Sequence, residues 1–371
     1  MRIAIVNLTA GGMSGGYRKY LQRILPLMAK DKRVDSLEVY MPAGHADVFT
    51  GNAYTLHNIP AGNVYKNNSW LKNQLATRQP DVVFIPSAMW LNCGQTPIVI
   101  MIQNMEPLVV PFQGNPSKEC IKNIGRYTAN LYACRRADRV IAISKFVKTY
   151  LTEKWRIKSD RVGLVYHGID PNSDEVAVGE PDAIASLKSL PFLFTAGSLR
   201  PARGLEDVIR ALAILKTERS VQLVIGGNVD PGMGPCFVKL KELAGKLGVL
   251  ERIQWTGKLD DSAMSWYFKN CTAFIMTSRV ESFGMTAGEA MAHGCVCISS
   301  DNPCLPEIFG SAALYYPSRD FTTLAKQIQV VISMGQAERI KMSSVAKDTA
   351  SRFSWEICAQ KTVDEFQKAL Q

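Results

Sequence analysis

Several signatures of metal and membrane proteins are absent from this sequence of 371 residues. No apolar run approaches the roughly 20 residues that a membrane-spanning helix requires, so we expect no such helix. The histidines form no HExxH pattern, and no regular His and Cys ligand spacing occurs. No Asp-x-Asp pair is present that would hold a divalent ion. The sequence therefore predicts a globular protein that uses neither a metal nor a cofactor.

The common dinucleotide-binding fingerprint is also missing. A GxGxxG loop with an acidic residue about 20 positions later marks a dinucleotide-binding domain, and no loop of this chain has that spacing. The Gly-rich segment from Gly11 to Gly16 is not followed by Gly-Lys-Ser/Thr, so it is not a Walker A loop. These absences disfavour a Rossmann-type oxidoreductase. A simple tight turn and a loop that contacts a ligand both remain open for this segment.

Nine cysteines are scattered along the chain without a CxxC pair. The number is odd, and we expect reduced thiols in the core rather than disulfides or metal ligands. The residues that follow Met1 form a strand-like run with no secretory signal. We therefore expect a cytoplasmic protein.

The net charge of +10 lies almost entirely in the first half of the chain. Residues 1–178 contain 22 Lys and Arg against 13 Asp and Glu, whereas residues 179–371 contain 21 against 20. An anionic membrane surface or nucleic acid attracts such a basic face, and a merely solvated face is the alternative. The segment from Trp70 to Arg78 mixes apolar and basic residues and could lie near lipid.

Strand-like and helix-like segments alternate through both halves, which predicts an α/β protein with two parallel sheets. We expect two Rossmann-like domains facing each other across a cleft, over residues 1–172 and 173–354, joined by a polar linker near residues 171–182. A last helix, from about Trp355 to the end, is expected to pack back on the first domain. The predicted strands are residues 2–7, 36–41, 81–86, 98–103, 139–143, 192–196, 221–226, 252–255, 272–277, 296–299 and 313–315. Residues 163–170 are predicted to form the last strand of the first half and its exit loop.

Two glutamates, Glu281 and Glu289, lie on either side of a predicted strand-to-helix junction. Between them, Phe283, Gly284 and Met285 can direct backbone N–H groups at a phosphate, which the helix dipole also favours. The carboxylates can then accept hydrogen bonds from sugar hydroxyls on either side of that phosphate. Ordinary surface glutamates are the alternative. Open α/β sheets bind ligands at the carboxyl ends of their strands, where this junction lies.

Two arginines, Arg200 and Arg203, follow the first predicted strand of the second half and precede a predicted helix. Guanidinium groups bind diphosphates through charge-assisted, often bidentate hydrogen bonds. The spacing indicates a clamp for a departing nucleoside diphosphate, and two solvated loop arginines are the alternative.

These motifs together resemble the retaining glycosyltransferases of family 4, which have the GT-B fold. The resemblance covers most of the chain, in order. It is carried by the Gly-rich first loop, Ala137 to Ser144 (family "ADRVIAVS"), His167 to Asp170 ("NGVD"), Gly197 to Gly204 ("GRLxxxKG"), Glu281 to Cys297 (E-x7-E with "EAMACGTPVV") and Pro303 to Ile308 ("GGLPEV").

The resemblance implies a role for each matching residue. Glu281 would contact the donor sugar, Glu289 the ribose, and Lys258 and Leu259 the base through backbone groups. Gly15 and Gly16 would approach the diphosphate from the first domain. The implied donor site comprises Gly15, Gly16, Ser198, Lys258, Leu259, Phe283, Gly284, Met285, Thr286 and Glu289. With the arginine clamp inferred above, the candidate catalytic residues are Arg200, Arg203 and Glu281.

The chain departs from the family pattern at two places. Ser198 stands where the family has arginine, and Arg203 where it has lysine, so Arg200 is inferred to supply the missing charge. Where many relatives carry a cleft histidine, this chain has Gln103, Asn104 and Glu106. These are candidate acceptor or cleft residues. A glutamate at a helix start that only caps the backbone is the alternative for Glu106.

The function implied by the resemblance is transfer of a hexosyl group from a UDP- or GDP-linked donor to an acceptor hydroxyl. We expect a glycan or lipid-linked acceptor, as in O-antigen or lipopolysaccharide synthesis, with peripheral contact to the inner face of an anionic cell membrane. No nucleic-acid partner is expected. A soluble acceptor, a GT-B sugar-nucleotide epimerase, and a non-catalytic basic protein that binds nucleic acid or membrane are the alternatives.

Overall fold

The computed structural model describes residues 1–9, 15–42, 49, 53–62, 64–170, 191–215 and 221–371. The chain forms two compact units. The first unit consists of Met1–Met105, Ile124–Gly168 and Phe353–Gln371. The second unit consists of Glu106–Asn123 and Ile169–Arg352.

Buried β-branched and other apolar runs form the strands, which in chain order are β1 Arg2–Val6, β2 Ser36–Pro42, β3 Thr55–Ile59, β4 Val82–Ile85, β5 Ile98–Ile102, β6 Arg139–Ala142, β7 Val162–Leu164, β8 Phe192–Ala196, β9 Gln222–Gly226, β10 Ile253–Gly257, β11 Ala273–Met276, β12 Cys297–Ser300 and β13 Ala313–Tyr316. The helices are α1 Gly15–Ala29, α2 Val64–Arg78, α3 Glu106–Val109, α4 Ser117–Arg136, α5 Lys145–Thr149, α6 Leu205–Ile214, α7 Gly234–Lys246, α8 Asp261–Asn270, α9 Met285–Ala292, α10 Cys304–Phe309, α11 Phe321–Ser333, α12 Gln336–Ala350 and α13 Trp355–Ala369.

The first unit contains a parallel sheet of seven strands in the order β3-β2-β1-β4-β5-β6-β7. Strands β4 and β5 are buried along their whole length, as expected of a sheet covered on both faces. In this unit α13 lies against α1, and Arg139 of β6 forms an ion pair with Glu365 at 2.6 Å.

The second unit contains a parallel sheet of six strands in the order β10-β9-β8-β11-β12-β13. Its core holds Leu193 of β8, Ile225 of β9, Ile275 of β11 and Ile298 of β12, with α6 and α11 packed against them. The chain order reverses between β8 and β11. Connections leave these two strands toward opposite faces of the sheet, so a crevice opens at their carboxyl ends.

The predicted α/β class with two Rossmann-like sheets is confirmed. All six strands predicted for the second half are present, each within two residues of its predicted ends. Strand β3 was not predicted, because its burial is mostly partial and its sequence Thr-Leu-His-Asn-Ile lacks an apolar run. The predicted limits 1–172 and 173–354 stay a prediction. The segment Glu106–Asn123 groups with the second unit, and the predicted linker lies outside the described residues.

Candidate functional site

A pocket lies at the carboxyl ends of β8 and β11, where the order of the second sheet reverses. Open α/β sheets bind their ligands at this position. The lining of the pocket includes hydroxyl-bearing residues from the ends of both strands and one arginine. Its lining residues are Thr195, Ala196, Gly197, Arg203, Leu205, Ile225, Gly226, Met276, Thr277 and Ser278.

Two glycines bring Arg203 into this pocket. Gly204 has a φ of 62°, and a Cβ there would lie 2.3 Å from the carbonyl oxygen of Thr277. A Cβ at Gly197 would lie 2.9 Å from Cζ of Arg203. Only glycine therefore permits the loop after β8 to approach both β11 and the guanidinium so closely. The Thr277 hydroxyl donates to the carbonyl oxygen of Arg203 at 2.6 Å and fixes the two loops together.

The side chain of Arg203 pairs with Glu281. Its Nη1 donates to Oε1 of Glu281 and also to Oγ of Ser278, the latter at 3.2 Å. The Arg203 side chain is 25% exposed and that of Glu281 is 16% exposed. The predicted cation and the first glutamate of the E-x7-E motif therefore meet at one edge of the pocket, with part of each still open to solvent.

A buried arginine that the sequence did not single out, Arg279, holds the loop that carries Glu281. Its guanidinium contacts both carboxylate oxygens of Asp207, at 2.5 and 2.7 Å, and Oε1 of Glu206 at 2.6 Å. Its backbone N–H donates to the carbonyl oxygen of Ala202 at 2.7 Å. Desolvation lowers the pKa of Arg279, but the hydrogen bonds and charges of Asp207 and Glu206 outweigh it and raise the pKa above its usual value. Arg279 and Asp207 lie 72 positions apart, so no local spacing signals the pair.

The carboxyl end of β12 supports the same loop. Ser300 donates through its hydroxyl to the carbonyl oxygen of Ser278 at 2.8 Å, and the amide of Asn302 donates to the carbonyl oxygen of Arg279. The residues in these two hydrogen bonds are buried. A hydrogen bond in the protein interior is electrostatically stronger than one at the surface. The position of Glu281 is thus set by groups from three neighbouring strands.

Helix α9 begins directly after this loop. Gly284 precedes it with a φ of 89°, a left-handed conformation that glycine adopts without strain. Phe283 is buried with 2% of its surface exposed. Met285 and Thr286 are half-buried and form the first turn, which contains no acidic residue and whose N-cap position is a glycine. Such a helix start favours an anion.

Glu289 lies in the second turn of α9 and is half-buried. Its carbonyl oxygen accepts a hydrogen bond from Nδ1 of His293 at 2.8 Å, while Nε2 of that ring lies 3.1 Å from Oγ of Ser265. His293 therefore fixes the end of the helix through hydrogen bonds at both ring nitrogens. Glu289 stays a predicted ribose contact.

The residues predicted near the base lie beside the pocket. Leu259 covers Gly226, because a Cβ on that glycine would come within 2.7 Å of Cδ1 of Leu259. Lys258 is exposed and follows Gly257, whose carbonyl oxygen accepts from the backbone of Gly227 at 2.7 Å. Ser198 is half-buried and adjoins the pocket-lining Gly197.

Arg200 has a different environment from Arg203. Its guanidinium lies 3.2 Å from Oε2 of Glu106, 3.6 Å from Oε1 of Glu119 and 3.5 Å from Oδ2 of Asp230. All four residues belong to the second unit. The carboxylate of Glu106 thus forms an ion pair at the start of α3. The predicted role of Arg200 in binding a diphosphate stays a prediction, with three carboxylates already engaging this cation.

Four further candidates lie in the first unit. Gln103 follows β5 and donates through its amide to the carbonyl oxygen of Pro86 at 2.8 Å. Asn104 is exposed. Gly15 and Gly16 form the start of α1, with open space around the position of a Cβ at Gly15. The rest of their loop, residues 10–14, lies outside the described residues. Their predicted ligand contacts stay predictions.

No group of three or more His, Cys, Asp and Glu side chains in the described part is arranged to hold a metal ion. No described helix combines the length and the apolar character that crossing a bilayer requires.

Comparison with known proteins identifies the family of this site. The family described as Glycosyl transferases group 1 matches residues 180–349, and Glycosyltransferase Family 4 matches residues 39–173. An uncharacterized glycosyltransferase of Methanocaldococcus jannaschii is 25% identical over 63% of this chain and 60% of its own. The alpha-monoglucosyldiacylglycerol synthase of Streptococcus pneumoniae is 33% identical over 49% of this chain and 42% of its own. Alignments with the first matching curated relatives thus span 53–60% of their length.

A solved structure shows the same fold over the whole chain. The Anabaena protein HepE, in complex with UDP and glucose, superimposes with a TM-score of 0.75 at 17% identity over 98% of both chains. The two matched regions and this likeness cover nearly all of the described elements. The chain therefore belongs to the family 4 glycosyltransferases and has the GT-B fold.

Proposed function

We propose that this protein is a retaining, metal-independent glycosyltransferase that moves a hexosyl group from a UDP- or GDP-linked donor to an acceptor hydroxyl. The observation that carries the proposal is the ion pair of Arg203 and Glu281 at the edge of the pocket beside β8 and β11. The pair supports the proposal because guanidinium groups bind diphosphates and carboxylates accept hydrogen bonds from sugar hydroxyls. The HepE complex contains UDP and glucose, which supports a nucleotide-sugar donor.

The donor would be held by groups with complementary chemistry. Arg203 would bind the diphosphate through the guanidinium N–H groups that remain beside its contact with Glu281. The start of α9, at Met285 and Thr286, would bind the distal phosphate with backbone N–H groups. Glu281 would accept from sugar hydroxyls and Glu289 from the ribose. Roles for Gly15 and Gly16 in diphosphate binding are proposed from the sequence resemblance alone, and the role of Arg200 is proposed from its place on the loop before α6.

The reaction that suits this site begins with cleavage of the bond between sugar C1 and the diphosphate oxygen. The electron pair leaves with the diphosphate, whose growing negative charge Arg203 and the α9 dipole stabilise. The acceptor oxygen forms its new bond to C1 on the face that the diphosphate leaves. The proton of the acceptor hydroxyl passes to a departing phosphate oxygen, so no side-chain base is required. The products are a glycoside of retained configuration and a nucleoside diphosphate.

We propose a lipid-linked or surface-polysaccharide acceptor at the cytoplasmic face of a membrane. The excess of basic residues in the first half of the chain supports contact with anionic lipid. A second support is the likeness to the alpha-monoglucosyldiacylglycerol synthase, whose name denotes a glycolipid product. Gln103, Asn104 and Glu106 are the proposed acceptor residues.

Ligand-dependent thermal stability tests the donor. UDP, GDP and their hexose conjugates are added in turn, and the expected result is a rise in the melting temperature with one nucleotide series, because a ligand that binds only the folded state stabilises it. The same rise should be largely lost in Arg203→Ala and kept in Arg210→Ala, which alters an exposed arginine of α6. If no nucleotide stabilises the protein and Glu281→Ala leaves every transfer assay unchanged, the proposal is wrong. Conversion of the donor sugar without an acceptor would indicate an epimerase instead.

A further inference from the structure

Helix α4, Ser117–Arg136, exposes large apolar side chains to solvent. Ile121 is 69% exposed, Ile124 is 50% exposed and Tyr132 is 49% exposed. Single exposed apolar residues are ordinary at protein surfaces. Three on one helix are more typical of a surface that binds a partner. The same helix buries Ala133 and Cys134 completely on its other side.

The exposed apolar residues of α4 lie along one stripe of the helix surface. Residues three, four or seven positions apart lie on one side of a helix. Ile121 and Ile124 are three apart, and Thr128 and Tyr132 continue the stripe at the same kind of spacing. Gly125, also exposed, leaves the middle of the stripe flat. The face thus spans about three turns of the helix, with two isoleucines at one end, Tyr132 at the other and the short polar side chain of Thr128 between them.

Basic side chains flank this stripe. Lys118, Lys122 and Arg126 are four apart and all exposed, so they lie along one border, and Arg135 and Arg136 are exposed at the end. The helix carries a single acidic residue, Glu119, which is only 9% exposed. It lies 3.9 Å from Lys122 and 3.6 Å from Arg200. The outward charge of α4 is therefore positive throughout.

Tyr132 and Trp90 lie at the C-terminal end of the stripe and form an amphipathic group with Arg136. Arg136 lies over the ring of Tyr132, with Cζ 4.7 Å from the ring centre. Trp90 meets Tyr132 edge-on at 6.4 Å. Tyrosine and tryptophan with a neighbouring cation are favoured at the level of lipid headgroups, where one end of each ring is apolar and the other is wet.

We propose that this face of α4 docks on an anionic lipid surface. The isoleucines would enter the boundary between headgroups and acyl chains, and the flanking Lys and Arg would meet lipid phosphates. Nucleic acid would match the positive charge but offers nothing to the apolar stripe, so lipid fits both features. The inference deepens the proposed function, because it rests on a lipid-linked acceptor and names the surface that brings the enzyme to it.

Vesicle flotation without any donor tests the surface directly. The full chain is mixed with vesicles of phosphatidylcholine alone or of phosphatidylcholine with phosphatidylglycerol, and the bound fraction is measured. Binding is expected only to the anionic vesicles. The variant Lys118→Gln/Lys122→Gln/Arg126→Gln should bind on the order of a hundredfold more weakly, since each basic residue near the surface contributes about 1 kcal/mol.

A second variant separates lipid from other polyanions. Ile121→Ser/Ile124→Ser keeps every charge and should still lose about tenfold or more in vesicle affinity, because it removes the apolar anchor. The matched control Ile340→Ser/Lys341→Gln, on the exposed face of α12, should bind as the wild type does. Duplex DNA is tested in parallel, and the isoleucine variant should leave any DNA binding unchanged.

Three outcomes would overturn the docking surface. They are absence of wild-type binding to anionic vesicles, wild-type affinity in both α4 variants, or an equal loss in the α12 control. Nucleotide-dependent thermal stabilisation is measured on the same samples. If that stabilisation persists while vesicle binding is absent, the lipid surface fails and the proposed transferase function stands. If vesicle binding is present and no nucleotide stabilises the chain, the transferase proposal fails alone.

Discussion

Arg203, which lines the pocket beside β8 and β11, forms an ion pair with Glu281 between Nη1 and Oε1. The two residues lie 78 positions apart. Because each is half-buried, their attraction is stronger than that of a surface pair, yet both can still reach a ligand. The pair links the group proposed to bind the diphosphate with the group proposed to bind the sugar.

Removal of the guanidinium at Arg203 should slow transfer strongly. Arg203→Ala is expected to lower kcat by about 10²–10³-fold, because a preorganised donor aimed at developing charge is lost. Arg203→Lys keeps the charge and should recover part of the rate, although a point charge binds a diphosphate less specifically. Steady-state kinetics with the nucleotide sugar provide the measurement. Equal rates for the alanine variant and the wild type would contradict the proposed role.

Arg200→Ala tests the second predicted clamp residue. We expect a smaller loss of turnover than in Arg203→Ala, because Glu106, Glu119 and Asp230 already engage this guanidinium. Loss of the cation leaves two buried carboxylates close together, so the melting temperature should fall. Kinetics and thermal unfolding are measured on the same samples. A loss of turnover equal to that of Arg203→Ala with unchanged stability would instead support a direct contact with the diphosphate.

Neutralising Glu281 should weaken both donor binding and catalysis. Glu281→Gln preserves the shape but removes the charge that orients Arg203, and a loss of about 10–100-fold in kcat/KM is expected. Glu251→Gln, at an exposed position before β10, is the matched control and should leave both unchanged. Calorimetric titration with the nucleotide sugar separates binding from turnover. An unaltered kcat/KM would show that Glu281 takes no part in donor binding or catalysis.

Removal of the buried guanidinium of Arg279 is expected to lower the free energy of unfolding. Arg279→Ala leaves the carboxylate of Asp207, which is 2% exposed, without its guanidinium partner. Breaking a buried pair in this way costs about 3–5 kcal/mol in the free energy of unfolding. Urea denaturation measures the change. Arg210→Ala, on the exposed side of the same helix as Asp207, serves as the control. It removes only a contact over the ring of Phe321 and should change the free energy of unfolding by no more than about 1 kcal/mol.

Acid should destabilise the first unit through His167. This ring packs between Tyr20 at 4.7 Å and Trp355 at 6.1 Å, and burial lowers its pKa from 6.5 to about 3. Between those two values the unfolded chain binds a proton that the folded chain does not, so stability rises with pH in that window. The stability that the uncharged His167 ring contributes is fully present above pH 6.5. As the pH falls toward 3, the free energy of unfolding decreases by about 1.4 kcal/mol per pH unit.

The variant His167→Phe isolates this pH effect. It keeps an aromatic ring between Tyr20 and Trp355 but cannot take up a proton. The free energy of unfolding, measured by urea denaturation from pH 7 to pH 4, should fall less steeply in the variant than in the wild type. Identical slopes would show that His167 does not titrate as inferred.

Much of the second sheet could be predicted from the sequence. Strands β8, β9 and β11 are short, fully or nearly buried, mostly apolar runs between polar loops, and such runs are recognisable by composition alone. Strand β3 was missed because its residues are mostly half-exposed and resemble a loop. Local composition reports burial, so it reports edge strands poorly.

The candidate site was predictable only in its parts. The glycines and charged residues of the loops after β8 and β11 stand out because parallel strands direct those loops to one edge of the sheet. Which charges meet there depends on contacts between positions far apart in the chain. Nothing local distinguishes Arg203, at the pocket, from Arg200, among three carboxylates.

The sequence by itself determined the alternation of strands and helices, the family, and the loops in which the polar residues lie, since these follow from local burial patterns and short motifs. Only the tertiary structure decided that Arg203 pairs with Glu281, that Arg279 is buried against Asp207, and that α4 turns an apolar stripe to solvent. The reason is physical. Hydrogen bonds and ion pairs act over a few ångströms in space, and sequence separation does not report that distance.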